Sequence, residues 1–135
     1  MIKLDTRLPE LIRQNCYVRI KWDNKKMWEL NLPIEKMKVS ELSWQFKIPF
    51  WKTDTPKFGL TPLEVIKNPK KYEGHYKRIL EANLKHPIDI IKNPKGKWEI
   101  LEGLHRLTKA KILKHKEVTI RKIPKQMLNF IKPQT

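Results

Sequence analysis

Residues 87–123 carry a pattern that few folds accommodate. Pro87-Ile88-Asp89-Ile90-Ile91 reads as a strand, Asn93-Pro94-Lys95-Gly96 as a turn, and Trp98-Glu99-Ile100-Leu101 as the returning strand. Glu102-Gly103 breaks it. Leu104 to about Lys114 then reads as a helix burying Leu107, Ala110 and Leu113, with Ile112 a further candidate. Val118-Thr119-Ile120-Arg121-Lys122-Ile123 is one more strand, closed by Pro124. Strand, turn, strand, glycine loop, helix and strand in that order predict an α+β domain with a small mixed sheet and flanking helices.

The upstream half is less regular. Thr61-Pro62-Leu63-Glu64 combines capping-box spacing with proline at the first helical position, which predicts a short helix ending near Lys67. Asn68-Pro69 predicts a second helix from Pro69 to about Ala82, with Tyr72, Tyr76, Ile79 and Leu80 as its buried stripe. His75, Lys77 and Arg78 then face solvent, and His75 is assigned no chemistry. Trp44, Phe46, Phe50 and Trp51 cluster as core residues. Trp51 is the exception free for stacking, because charged and turn-forming residues follow it. Ser40 caps a turn of helix through Leu42 and Trp44, followed by extended Ile48 to Trp51. Leu4, Leu8, Leu11 and Ile12 fall at helical spacing, whereas Tyr17 to Trp22 and Met27 to Leu32 alternate around Asp23-Asn24 and predict a hairpin. These readings divide the chain into an extension (1–33), a domain (34–124) and a tail (125–135).

Composition narrows the function classes. The 135 residues include five Trp, three Tyr and four Phe, enough for a single core, and contain no apolar run that would cross a membrane. A single cysteine, Cys16, makes neither an intramolecular disulfide nor a cysteine zinc site, and the N-terminus lacks a signal-peptide pattern. A cytoplasmic location is the expectation. Lys and Arg number 30 against 14 Asp and Glu, a formal net charge of +16 that attracts polyanions. The lysines are scattered and form no basic arm. The charge therefore has two readings, a surface for nucleotides or nucleic acid and a surface that keeps the protein in solution.

The sharpest functional signal is Glu102-Gly103-Leu104-His105-Arg106. A helix start leaves backbone N–H groups without intrahelical partners, and the helix dipole favours an anion there. Gly103 allows close backbone approach, Arg106 can grip phosphate oxygens with two bonds, and His105 can donate one or two more. Lys109 lies one turn on and adds charge. Glu102 would repel a phosphate, so its expected partners are Mg2+, a ribose hydroxyl or a local backbone N–H.

Pro87-Ile88, the box Trp98 to Leu107, Ala110 and the strand Val118 to Ile123 together resemble the ParB/sulfiredoxin superfamily. The resemblance extends more loosely over residues 34–82 and is absent over 1–26. It implies a ParB/sulfiredoxin-like fold and a nucleotide whose phosphates contact Gly103, the Leu104 backbone, His105 and Arg106. Members of that superfamily reduce sulfinic acids with ATP, close clamps on DNA with CTP, phosphorylate free serine or cleave nucleic acids. Sulfiredoxins carry a cysteine where this chain has Leu104. Partitioning proteins carry Glu-Arg-Arg after the glycine and continue into a helix-turn-helix domain, for which Pro124 to Thr135 leave no room. Both activities are disfavoured. An ATP- or ADP-dependent phosphotransferase remains, with Mg2+ and a carboxylate chosen from Glu41, Asp54, Glu64 and Glu102. Glu64 already has a capping role and Asp54 a turn role, which leaves Glu102 and Glu41 with His105 as the catalytic candidates. The alternative is a DNA- or RNA-binding or nuclease module in which His105 is general acid or base and Arg106 holds a backbone phosphate. In a third reading the loop is only a well-made helix start.

Overall fold

A computed structural model of the chain describes Cys16 and residues 22–53 and 58–131. The elements are α1 (Asn24–Trp28), β1 (Glu35–Lys38), two 3-10 turns (Val39–Glu41, Ser43–Lys47), β2 (Trp51–Lys52), β3 (Phe58–Leu60), α2 (Pro62–Lys67), α3 (Glu73–Glu81), β4 (Ile88–Lys92), β5 (Trp98–Glu102), α4 (Leu104–Ile112), β6 (Glu117–Lys122) and a final 3-10 turn (Lys125–Met127). A four-stranded mixed sheet has the order β1-β6-β4-β5, and β2 pairs with β3 separately. β4 and β5 form an antiparallel hairpin, β6 runs parallel to β4, and β1 is antiparallel to β6. The α+β architecture predicted from residues 87–123 is therefore present. Among the described residues no helix is long and apolar enough to cross a membrane.

Alternation along the strands assigns the two faces of the sheet. Ile88, Ile90, Ile100, Val118 and Ile120 point to one face, where Leu107 and Ala110 of α4 pack with Phe46. Ile91, Leu101 and Ile123 point to the other, beneath Met27, Leu128 and Ile131. Because both faces are covered, β4 is buried from Ile88 to Ile91 and apolar there at every position but one. The exception is Asp89, buried at 1% exposure and bonded to Arg121 Nε at 2.7 Å. Arg121 also donates to the carbonyls of Leu30 (2.8 Å) and Met27 (3.0 Å), fastening the α1 region to the sheet. Burial lifts the Asp89 carboxyl above its usual range, and the Arg121 guanidinium opposes that.

β5 is an outer strand, and Gln45 covers its edge. The buried Gln45 side chain accepts from Ile100 N–H at 2.7 Å and donates to Trp98 O at 3.2 Å, where Trp44 Nε1 also donates. This fixes the turn Ser43–Lys47 beside the strand that leads into the glycine loop.

Several local expectations are corrected. Met27 does not begin a strand of a hairpin, because the Asp23 side chain accepts from Lys25 N and Lys26 N and starts α1. Trp22 is described and bonds Asn24, while the rest of that first strand (17–21) and the helix expected around Leu4 to Ile12 lie outside the described residues. The capping box of Thr61 and Glu64 forms as predicted. α3 starts at Glu73, four residues later than Pro69, and its Leu80 is 48% exposed; Leu113 is likewise half exposed, just beyond α4. Trp51 is buried and belongs to the cluster of Phe50, Leu60 and Ile79.

Candidate functional site

Gly103 has φ 116° and ψ 18°, a left-handed conformation that turns the end of β5 into α4. No side chain caps α4, and its first internal bond runs from Leu107 N–H to Gly103 O, so the first-turn N–H groups are left without helix partners. Arg106 folds back over this start. Its NH1 donates to Glu102 Oε2 at 2.9 Å and to Pro87 O at 3.0 Å, and its NH2 to Glu102 Oε1 at 3.3 Å. The expected basic donor is thus present but holds the expected odd member, Glu102, in a two-bond ion pair. An incoming phosphate would exchange for that carboxylate.

His105 forms the wall between two clefts. One, of about 190 Å3, includes Gln45, Trp51, Glu102 and Gly103; the other, of about 250 Å3, includes Arg78, Asn83, His86, Gly103 and Arg106. The imidazole stacks on Trp51 with centroids 4.5 Å apart, and His75 stacks on the same indole at 5.1 Å. Van der Waals contact spaces such rings by about 3.5 Å, so rings on opposite indole faces would sit about 7 Å apart. The histidine centroids are 6.1 Å apart and their planes 10° from parallel. Both imidazoles therefore lie side by side on one face of Trp51. His75 Nε2 is 2.8 Å from Lys52 O, and because a carbonyl only accepts, Nε2 is the donor. His75 Nδ1 and His105 Nε2 are both buried without a hydrogen-bond partner.

Burial, with repulsion from His75 and Arg78 added, pushes the His105 pKa down to about 4. At neutral pH the ring is uncharged and offers one donor and one acceptor. The unfolded chain binds a proton at this residue below about pH 6.5, whereas the folded protein refuses it until about pH 4, so stability falls as pH drops through that window. With partial exposure allowed for, the loss from pH 7 to pH 5 is about 1–2 kcal/mol. Urea midpoints at the two pH values should show it, and His105→Gln should flatten the difference.

The remaining predicted residues have other placements. Lys109 Nζ donates to Leu80 O and Ala82 O, both at 2.8 Å, so it caps the end of α3 and ties it to α4. Glu41 is exposed on its 3-10 turn and lines neither cleft; Glu64 is held in its capping box; Asp54 lies outside the described residues. Leu104 contributes its backbone at the helix start and its side chain to the core. Sequence reasoning missed His75 and Arg78. Their one local signal was a basic pair at i,i+3 on a helix that otherwise presents an ordinary polar face. Among the described residues no group of three or more His, Cys, Asp or Glu could hold a metal ion. The chain matches no family model, no curated protein and no solved structure.

Proposed function

We propose that this chain is a small nucleotide-binding domain of the ParB/sulfiredoxin type, with the ligand's phosphates seated from Gly103 to Arg106. The observation that carries the reading is the uncapped start of α4, flanked by Arg106, Arg78 and an uncharged His105 where two clefts meet. An uncapped helix start with convergent cationic groups suits a phosphate more than any neutral ligand. The parallel pairing of β4 with β6, the hairpin before the loop and the helix after it are the features that favour this superfamily.

Glu102 lines both clefts and is the carboxylate that would hold Mg2+ arriving on the phosphates. This fits the donor set, since Mg2+ commonly binds through one or two carboxylates plus substrate phosphates and needs no preformed protein cage. A phosphotransferase would use Glu102 in that role and neutral His105 as a weak base toward an acceptor hydroxyl. In the nuclease reading a neutral His105 would serve as general base and not as general acid. Backbone-phosphate binding of DNA or RNA retains the +16 charge as its support and predicts affinity that falls steeply with salt.

Thermal shift with ATP, ADP, CTP and GTP plus Mg2+ tests the proposal. A ligand at a hundred times its Kd stabilises the fold by about 2.7 kcal/mol. Arg106→Ala should abolish that gain at any nucleotide concentration that stabilises the wild type. Wild-type protein unmoved by all four nucleotides sinks the reading.

A further inference from the structure

The proposed phosphate site leaves open where the rest of a nucleotide would lie. A cavity of about 540 Å3 opens between the Trp28–Ile34 segment and the start of β4, well within the size range of ligand sites. Leu32, Ile34 and Pro87 supply apolar walls, and His86 and Arg106 line both this cavity and the 250 Å3 cleft at the loop. A ligand gripped by Arg106 can therefore extend into it.

Trp28 stands at its rim, 57% exposed. The other four tryptophans are all engaged: Trp22 and Trp44 through Nε1, Trp51 by two imidazoles, Trp98 beneath Lys92 and Lys122. Among the described residues, Trp28 stacks on no ring, meets no cation and donates no hydrogen bond. The competing spaces offer less. The 190 Å3 cleft contains Phe50 and Trp51, but both are buried and two imidazoles already cover one face of the indole. A third cleft of about 330 Å3 shares His86 and Arg106 but contains no Trp, Tyr or Phe.

We propose that the 540 Å3 cavity is the base subsite of the nucleotide, with the base stacked on Trp28 and the phosphates reaching Arg106 and the start of α4. This rests on the phosphate reading of the loop. Stacking on an aromatic side chain is tolerant of base identity, so the subsite selects a flat ring and leaves purine or pyrimidine open.

Calorimetric titration with ATP and with inorganic tripolyphosphate, each with Mg2+ at matched ionic strength, separates the two ideas. Wild-type protein should bind ATP about 10-fold more tightly than tripolyphosphate. Trp28→Ala should remove that preference while leaving tripolyphosphate affinity unchanged, and Trp28→Phe should retain most of it. Equal wild-type affinity for both ligands overturns the base subsite and leaves the phosphate site standing. Loss of both affinities together in Trp28→Ala overturns it as well, since Trp28 would then be serving the fold. If neither ligand binds wild-type protein, the phosphate reading fails and the base subsite falls with it.

Discussion

Arg121→Met is expected to destabilise the protein by about 3–5 kcal/mol, as a lower urea midpoint with little change in slope. Arg121 is 8% exposed and its guanidinium makes three bonds, to Asp89 at 2.7 Å, Leu30 O at 2.8 Å and Met27 O at 3.0 Å. Methionine fills most of the volume but leaves a buried carboxylate without its counter-charge and two carbonyls without donors. The deficit should depend on pH. Without Arg121 the folded Asp89 pKa rises further, so the folded state binds a proton more readily than the unfolded one. The variant is then relatively most stable below about pH 4 and loses ground as pH rises. Adding Asp89→Leu should restore part of the loss at neutral pH, because an apolar pair costs less to bury than a lone charge.

Gly103→Val is expected to cost about 3 kcal/mol and to remove nucleotide-induced stabilisation as well. At φ 116° a side chain is strained whatever room it has. Room is also short, since a Cβ would meet Ile88 Cγ1 at 3.1 Å, Ile88 Cγ2 at 3.2 Å and Arg106 NH1 at 3.2 Å. Branching adds overpacking against β4, and a displaced Arg106 leaves both Glu102 and Pro87 O. Urea denaturation measures the first effect and thermal shift with ATP the second. A variant that keeps wild-type stability would contradict the backbone geometry assigned to the loop.

The elements legible in the sequence are those specified by neighbours a few residues away. Asn93 takes the turn between β4 and β5 with its own side chain accepting from Lys95 N and Lys97 N, and Thr61 and Glu64 close their box locally. The missed elements depend on distant partners. β1 reads Glu-Lys-Met-Lys, with no apolar alternation, and exists because β6 pairs with it some eighty residues on. Around Met27, alternation resembled a strand, but the Asp23 cap and the burial of Met27 under the sheet favour a helical turn. At the site, the glycine break at Gly103 and the helix that follows it were readable locally. His75 was not, because its partners, Trp51 and the Lys52 carbonyl, are more than twenty residues away. Lys109 was read as a phosphate ligand on position, whereas helix-end carbonyls claim its ammonium.

Gln45 bears on self-association. An outer strand with bare N–H and C=O groups is a template on which another copy of the chain can pair. By satisfying Ile100 N–H and Trp98 O, the Gln45 amide occupies the positions a neighbouring molecule's backbone would need. The opposite edge, β1, is guarded differently, being four residues long with Lys36 and Lys38 exposed along it. Among the described residues, the four-stranded sheet thus carries a mimic of backbone along one edge and charge along the other, and each makes pairing with a further strand at that edge less favourable.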